Sequence, residues 1–260
     1  MKIHRIQAVV LRHLYNYRHS WDRLVDSFYW PAMDILIWGL TSAWIRGQAD
    51  IPNLVLILLS GLVFWQIVWR SQYEFTVNIL EEMWNQNLVS LFASPLRVGE
   101  WIAAAIILGF IKMTASVLFA GWLTFVVYSV RLWDGGWQLI PAMALLLANG
   151  WWIGLFVSGL IVRFGTRIQT LAWSGIYLLA PFSAIYYPLS ALPEWAQKVS
   201  WWIPMSHVFG YMRSSLMSGS ANLIDLVTPL LLTLIYIGVA IVWFNKSMDA
   251  SRKIGLSRLE

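Results

Sequence analysis

Apolar residues along this chain gather into long runs separated by short charged stretches, and the spacing inside each run predicts helices. Ile3, Ile6, Val10, Leu14, Tyr17, Trp21, Leu24 and Phe28 recur every three or four positions, with Arg5, Arg12 and His19 on another face. An arginine-bearing polar face opposite aliphatic and aromatic residues suits a helix lying among the headgroups of an anionic inner leaflet, and residues 1–27 are assigned to it. Six runs follow, at about 28–45, 51–69, 101–130, 139–162, 171–193 and 226–245. A bilayer crossing needs roughly 20 apolar residues, so each run is long enough or nearly so to span. The third exceeds that need and should tilt or project. Residues 28–248 form one transmembrane domain and 249–260 a cytoplasmic tail.

The fifth run does not simply cross. Pro181, Pro188, Pro193 and Pro204 fall in or just after it, and each removes a backbone donor and interrupts a helix. Unpaired backbone at membrane depth survives only against protein or a water-filled cavity, so the chain is expected to enter, break and continue as short sheltered helices. One is PEWAQKVSWW; the other, MSHVFGYMRSSLMSG, places Val208, Tyr211, Met212 and Leu216 on one face and stops at Gly219.

Between the second and third runs lies YEFTVNILEEMWNQNLVSLFASPLRVGE. Val77, Leu80, Trp84, Leu88 and Leu91 mark an apolar helical face, and Glu81, Glu82, Asn85 and Gln86 a polar one, until Ser94-Pro95 stops the helix. The segment is too short and polar to span. It reads as a solvated loop helix or as a docking element for a cytoplasmic partner.

Composition agrees with a polytopic membrane protein: 59% of the 260 residues are hydrophobic, 12% are charged, and mean hydropathy is +0.63. The formal net charge of +5 raises nucleic acid as a partner, but the basic residues sit in loops and termini, where membrane orientation places them. With six spans, thirteen Lys and Arg fall on the side of the termini and four on the other, with Lys112 inside a span. Both termini are therefore expected in the cytoplasm of a cell bounded by this inner membrane. The chain has no cysteine, which rules out a disulfide framework and thiolate metal sites. His4, His13, His19 and His207 are scattered through terminal and loop positions, and no metal site is expected.

Two charges fall deep within spans. Asp34 lies about two turns into the first and Lys112 near the middle of the third, where a lone charge costs about 2.5–3.5 kcal/mol, so the two are expected to pair. Such a pair can fix helix packing or sense substrate. Most of the 18 Trp, 10 Tyr and 12 Phe belong to interfacial belts or lipid-facing surfaces.

The order of a basic amphipathic helix, two spans, a helix closing in SPLRVGE, and a later LPEWAQKVSWWIPMSHVFGYMRSSLMSG segment resembles the type-2 permeases of ATP-binding-cassette exporters. Leu192-Pro193-x-Trp195, then Pro204, Arg213 and Gly219, carry the resemblance most specifically; Ile203 stands where that family usually has Asn. The resemblance implies an all-α membrane protein of six transmembrane helices with an amphipathic interfacial helix, a cytoplasmic coupling helix and a partly re-entrant region after the fifth span. It also implies a pair of permease copies, here a homodimer among membrane lipids, each docking a separate nucleotide-binding ATPase subunit that carries ATP and Mg. Coupling to that subunit would fall to Glu81, Glu82, Asn85, Gln86 and Arg167. Trp65, Gln66, Trp69 and Tyr73 on the second span and Trp173, Tyr177 and Phe182 on the fifth would line the path of a polysaccharide, a lipid-linked molecule or an amphipathic drug-like compound.

No G-x-x-x-x-G-K-[ST] loop, G-x-S-x-G elbow or H-E-x-x-H pair occurs, so this chain is expected to bind no cofactor and to catalyse nothing itself. An ATP-independent carrier or channel would want more intramembrane carboxylates or a polar pore stripe. A membrane scaffold subunit would share the hydropathy without a reason for the broken fifth run.

Overall fold

The computed structural model of the protein describes residues 2–48, 53–219 and 221–255. Residues 49–50 between the first two expected runs, 51–52 at the start of the second, and 256–260 of the expected tail lie outside the described residues. Among the described residues the ordered elements are helical: α1 (Ile3–His19), α2 (Trp21–Gln48), α3 (Leu54–Trp84), α4 (Leu88–Ala93), α5 (Val98–Tyr128), α6 (Leu139–Phe164), α7 (Leu171–Ser174), α8 (Glu194–Trp201), α9 (Pro204–Ser218) and α10 (Val227–Ile254), with short 3-10 turns between them.

Four of these stretches are long and apolar enough to cross a membrane, namely Leu54–Trp84, Val98–Tyr128, Leu132–Ile168 and Leu223–Lys253. They carry the second, third, fourth and sixth expected spans. The first expected span is a 28-residue helix, α2, with Pro31 inside it; Asp34 and its Trp and Tyr residues keep it less apolar than those four. The fifth is not one helix. From Leu171 to Ala191 the chain makes one α turn and three 3-10 turns, then α8 and α9. The interfacial stripe is likewise divided: α1 ends at His19 and Ser20 is extended, so Trp21, Leu24 and Phe28 belong to α2.

The broken region is sheltered as backbone in an apolar setting must be. Gln72 Nε2 donates to the Ala172 carbonyl at 3.0 Å and Thr76 Oγ1 to the same oxygen at 3.3 Å. Arg213 reaches back from α9 to the Ala184 carbonyl at 2.8 Å, where Ala184 holds a left-handed φ of 54°. Val208, Tyr211 and Met212 are buried, and Gly219 closes α9 at φ 63°, a conformation glycine adopts without steric cost.

At the centre is α3, buried from Leu58 to Met83 nearly without interruption and flanked by α2, α5 and α6. The spacing Gly150-x-x-x-Gly154 on α6 lets it lie close against α3. A Cβ at Gly150 would overlap the Ser71 hydroxyl and the Val68 carbonyl, and one at Gly154 would stand 2.9 Å from the Gln72 carbonyl.

The continuous 31 residues of α3 correct one expectation. Residues 73–84 do not form a separate loop helix; they extend the second span by more than three turns. Charges at Arg70, Glu74, Glu81 and Glu82 mark the end of the apolar run in sequence, yet each has an oppositely charged partner on another helix, so the helix continues buried through them.

Candidate functional site

Contacts divide the molecule into two ends. At one, α1 meets the far end of α3 and the start of α5: the Lys2 amide donates to Glu100 at 2.7 Å, Arg5 bonds the Pro95 carbonyl, Arg12 pairs with Glu82, and Arg23 pairs with Glu81 at 2.9 Å. Ser251 of α10 and Val162 of α6 join there. At the other end, Tyr211 and Ser215 of α9 bond the carbonyls of Gln138 and Gly135, and Tyr236 bonds that of Trp202.

Within the first end lies a closed charge cluster. Lys112 donates to Glu74 at 2.7 Å and sits 4.9 Å from the centroid of the Tyr17 ring. Buried beside them is His13, its ring nitrogens 4.0 and 3.8 Å from Glu81 and Glu82. Arg12, Arg23 and Lys112 balance Glu74, Glu81 and Glu82, so a proton on His13 would leave an excess positive charge out of water. Burial, then the charges of Arg12, Lys112 and Arg23, push His13 down to about 3.

This cluster corrects two expectations. Lys112 does not pair with Asp34, because Glu74, a turn beyond the expected end of the second span, lies directly against it. Glu81 and Glu82 do not form an exposed face either: Glu82 is 2% exposed, and both are turned toward arginines of α1 and α2. Their partners are Arg12 and Arg23, both within residues 1–27, the stretch expected to lie among lipid headgroups.

The exposed surface at this end lies beyond the glutamates. Asn85 and Gln86 turn the chain out of α3, Gln86 at φ 51°, and the short α4 follows. Asn87 fastens the turn by donating to Glu82 at 2.6 Å. Trp84 donates to Gln169 at 3.2 Å and stacks on Trp173 at 6.2 Å, which brings the α3–α4 elbow against the turn after α6 where exposed Arg167 sits. Asn85, Gln86 and Arg167 thus share one surface.

Along α3 toward the other end, α2, α3 and the broken segment enclose a cleft of about 470 Å³. Trp65, Gln66 and Trp69 of α3 and Trp173 and Tyr177 of the broken segment line it, together with Asp26, Trp30 and Asp34 of α2 and Arg70. Five of the seven expected path residues therefore meet in one place. Tyr73 stands behind, stacked on Trp69 at 4.9 Å, and Phe182 turns away to Trp195 at 6.0 Å. Trp69 donates to the Tyr177 hydroxyl at 3.1 Å, tying the two walls together. Arg70, 2% exposed, is held by Asp26 through its carboxylate at 3.1 Å and its carbonyl at 3.2 Å. Among the described residues Asp34 accepts only from Gln66, at 3.4 Å.

Asp26, Trp30, Arg70, Glu74 and His13 stand in these sites without being expected there from the sequence. A signal for Arg70 and Glu74 was present: they sit four apart on α3, a spacing that places them on one helix face. His13 carries no such signal, since its neighbours come from three other helices.

Four stretches long and apolar enough to cross a membrane, with a lined cleft and a sheltered broken segment beside them, are the architecture of a multi-pass membrane protein. The profile of the ABC-2 type transporter family matches residues 4–217, and the chain belongs to that family of ATP-binding-cassette permeases. Members are membrane transport components rather than catalysts, and membership implies an ATP-binding partner. A comparison with curated proteins found no match.

Proposed function

We propose that the chain is the permease half of an exporter: two copies pair in the inner membrane, and a separate subunit hydrolyses ATP with Mg to drive substrate outward. In this reading α2 and the broken segment after α6 complete six spans with the four longer helices. Both termini, the charge cluster and the α3–α4 elbow face the cytoplasm, and α8 and α9 lie near the outer surface. The thirteen-to-four distribution of Lys and Arg supports that orientation.

The observation that carries the proposal is the elbow. Asn85, Gln86 and α4 project at the charged end, and they are bound to the span that lines the cleft because α3 is one helix from Leu54 to Trp84. A push on the elbow is delivered along α3 to Trp69 and Trp65. Glu81 and Glu82 do not touch the ATPase; they brace the elbow against α1 and α2 through Arg23 and Arg12. Arg167 adds a positive charge to the docking surface. An amphipathic molecule of drug size fits the cleft volume.

The test is to produce the tagged permease in its native host, purify through the tag, identify any co-purifying ATP-binding subunit, and measure ATP hydrolysis in lipid nanodiscs. The expected result is a co-purifying, hydrolysing complex. A permease that folds, purifies alone and transports without ATP contradicts the proposal.

A further inference from the structure

Two carboxylates and one guanidinium line the cleft, and the guanidinium is already taken. Arg70 is buried against Asp26, through both the carboxylate and the backbone carbonyl. Asp34 is half-buried, has no cation within ion-pair distance among the described residues, and accepts a single hydrogen bond at the long end of the usual range. A carboxylate so placed at membrane depth is costly unless something positive reaches it. The rings around it are Trp30, Trp65, Trp69 and Tyr177, and aromatic faces carry the negative end of a quadrupole that attracts cations.

We infer that this cleft binds a lipophilic organic cation, an amine or quaternary centre carrying apolar groups, with Asp34 as its counter-ion. The inference rests on the permease reading and names its substrate class. A neutral sugar would stack on the indoles equally well, but it would leave the Asp34 charge uncompensated. An anion would meet a site with excess negative charge. The cation would neutralise the carboxylate and place its apolar groups on the rings.

The experiment uses the full chain in lipid nanodiscs and two probes of the same shape, tetraphenylphosphonium and tetraphenylborate, with empty nanodiscs subtracted. Saturable binding of the phosphonium and not of the borate is expected. Asp34→Glu should keep that binding, and Asp34→Asn should weaken it at least tenfold. Trp30→Leu, which removes an exposed ring and no charge, should weaken it several-fold; it serves as the deciding variant if Asp34→Asn does not fold. Equal saturable binding of the two ions, or phosphonium binding unaffected by Asp34→Asn or by Trp30→Leu where the aspartate variant is unfolded, overturns the inference. Failure of the permease reading is separate: it is a chain that binds the phosphonium and assembles with no ATPase. Absence of phosphonium binding in a complex that still hydrolyses ATP removes only the cation.

Discussion

The two polar regions on α3 differ in how their charge is closed. At the elbow end, Glu74, Glu81 and Glu82 each meet a cation from another helix, and His13 stays neutral among them. In the cleft, one pair of charges is closed by Asp26 and Arg70, and Asp34 is left with an amide. A buried charge that is ion-paired holds structure, and loss of one partner is felt in stability. A half-buried carboxylate with an amide but no cation beside it is a cost to stability unless something positive reaches it. The contrast is what the proposed roles rest on, bracing for the elbow cluster and recognition for Asp34, and each can be broken separately.

The largest effect should come from breaking the closed cluster at its most buried pair. Lys112→Met leaves Glu74, 1% exposed, with an uncompensated charge, and should cost about 3–5 kcal/mol, seen as a sharp drop in thermal midpoint. The double variant with Glu74→Gln should recover most of that loss. Strictly additive losses would mean the two do not act as a pair.

Glu82→Gln should cost less, about 1–3 kcal/mol, because Arg12 is partly exposed and water can take up its charge. ATP hydrolysis in the assembled complex should fall with it, since the brace on the elbow is loosened. A stable variant with unchanged hydrolysis would leave the cluster as packing alone.

The same cluster predicts a pH dependence. His13 has a folded value near 3, below the 6.5 of an unfolded histidine, so below pH 6.5 the unfolded chain takes up a proton that the folded chain refuses. Stability from this group is complete above pH 6.5 and declines as pH falls toward 3, by about 1–2 kcal/mol at pH 5. Thermal midpoints across pH 5–7 should show a slope that flattens in His13→Gln. An unchanged slope would remove His13 from the cause.

The smallest effect, and the one opposite in sign, is expected at Asp34. Asp34→Asn removes an unpartnered charge from an apolar setting, so the thermal midpoint should hold or rise. A loss comparable to that of Lys112→Met would place Asp34 among the closed pairs and end the contrast.

Hydropathy made much of this legible. The long runs, the proline breaks, and the face of α9 with its stop at Gly219 follow from residue spacing, because burial imposes a period and proline and glycine act locally. The partners of the charges were not legible. Glu81 reads as exposed from its own helix, and Lys112 reads as a match for the nearest charge of similar depth, Asp34. Only the packing of α2 against α3 and the uninterrupted length of α3 reveal Arg23 and Glu74 instead. The cleft was half legible: its aromatic walls follow from helical position, whereas Asp26, Trp30 and Arg70 enter through the approach of α2 to α3.

Because the natural chain contains no cysteine, a single introduced thiol reports its own surroundings without background. The most direct test of the account places one at Ser90, exposed on α4, and separately one at Lys198 on α8, then asks which cross-links to the co-purified ATPase and which is labelled by a membrane-impermeant reagent on intact cells. Ser90→Cys should cross-link to the ATPase and resist external labelling, while Lys198→Cys should be labelled from outside and never cross-link. The reverse pattern, or cross-linking at neither position in an actively hydrolysing complex, would contradict it.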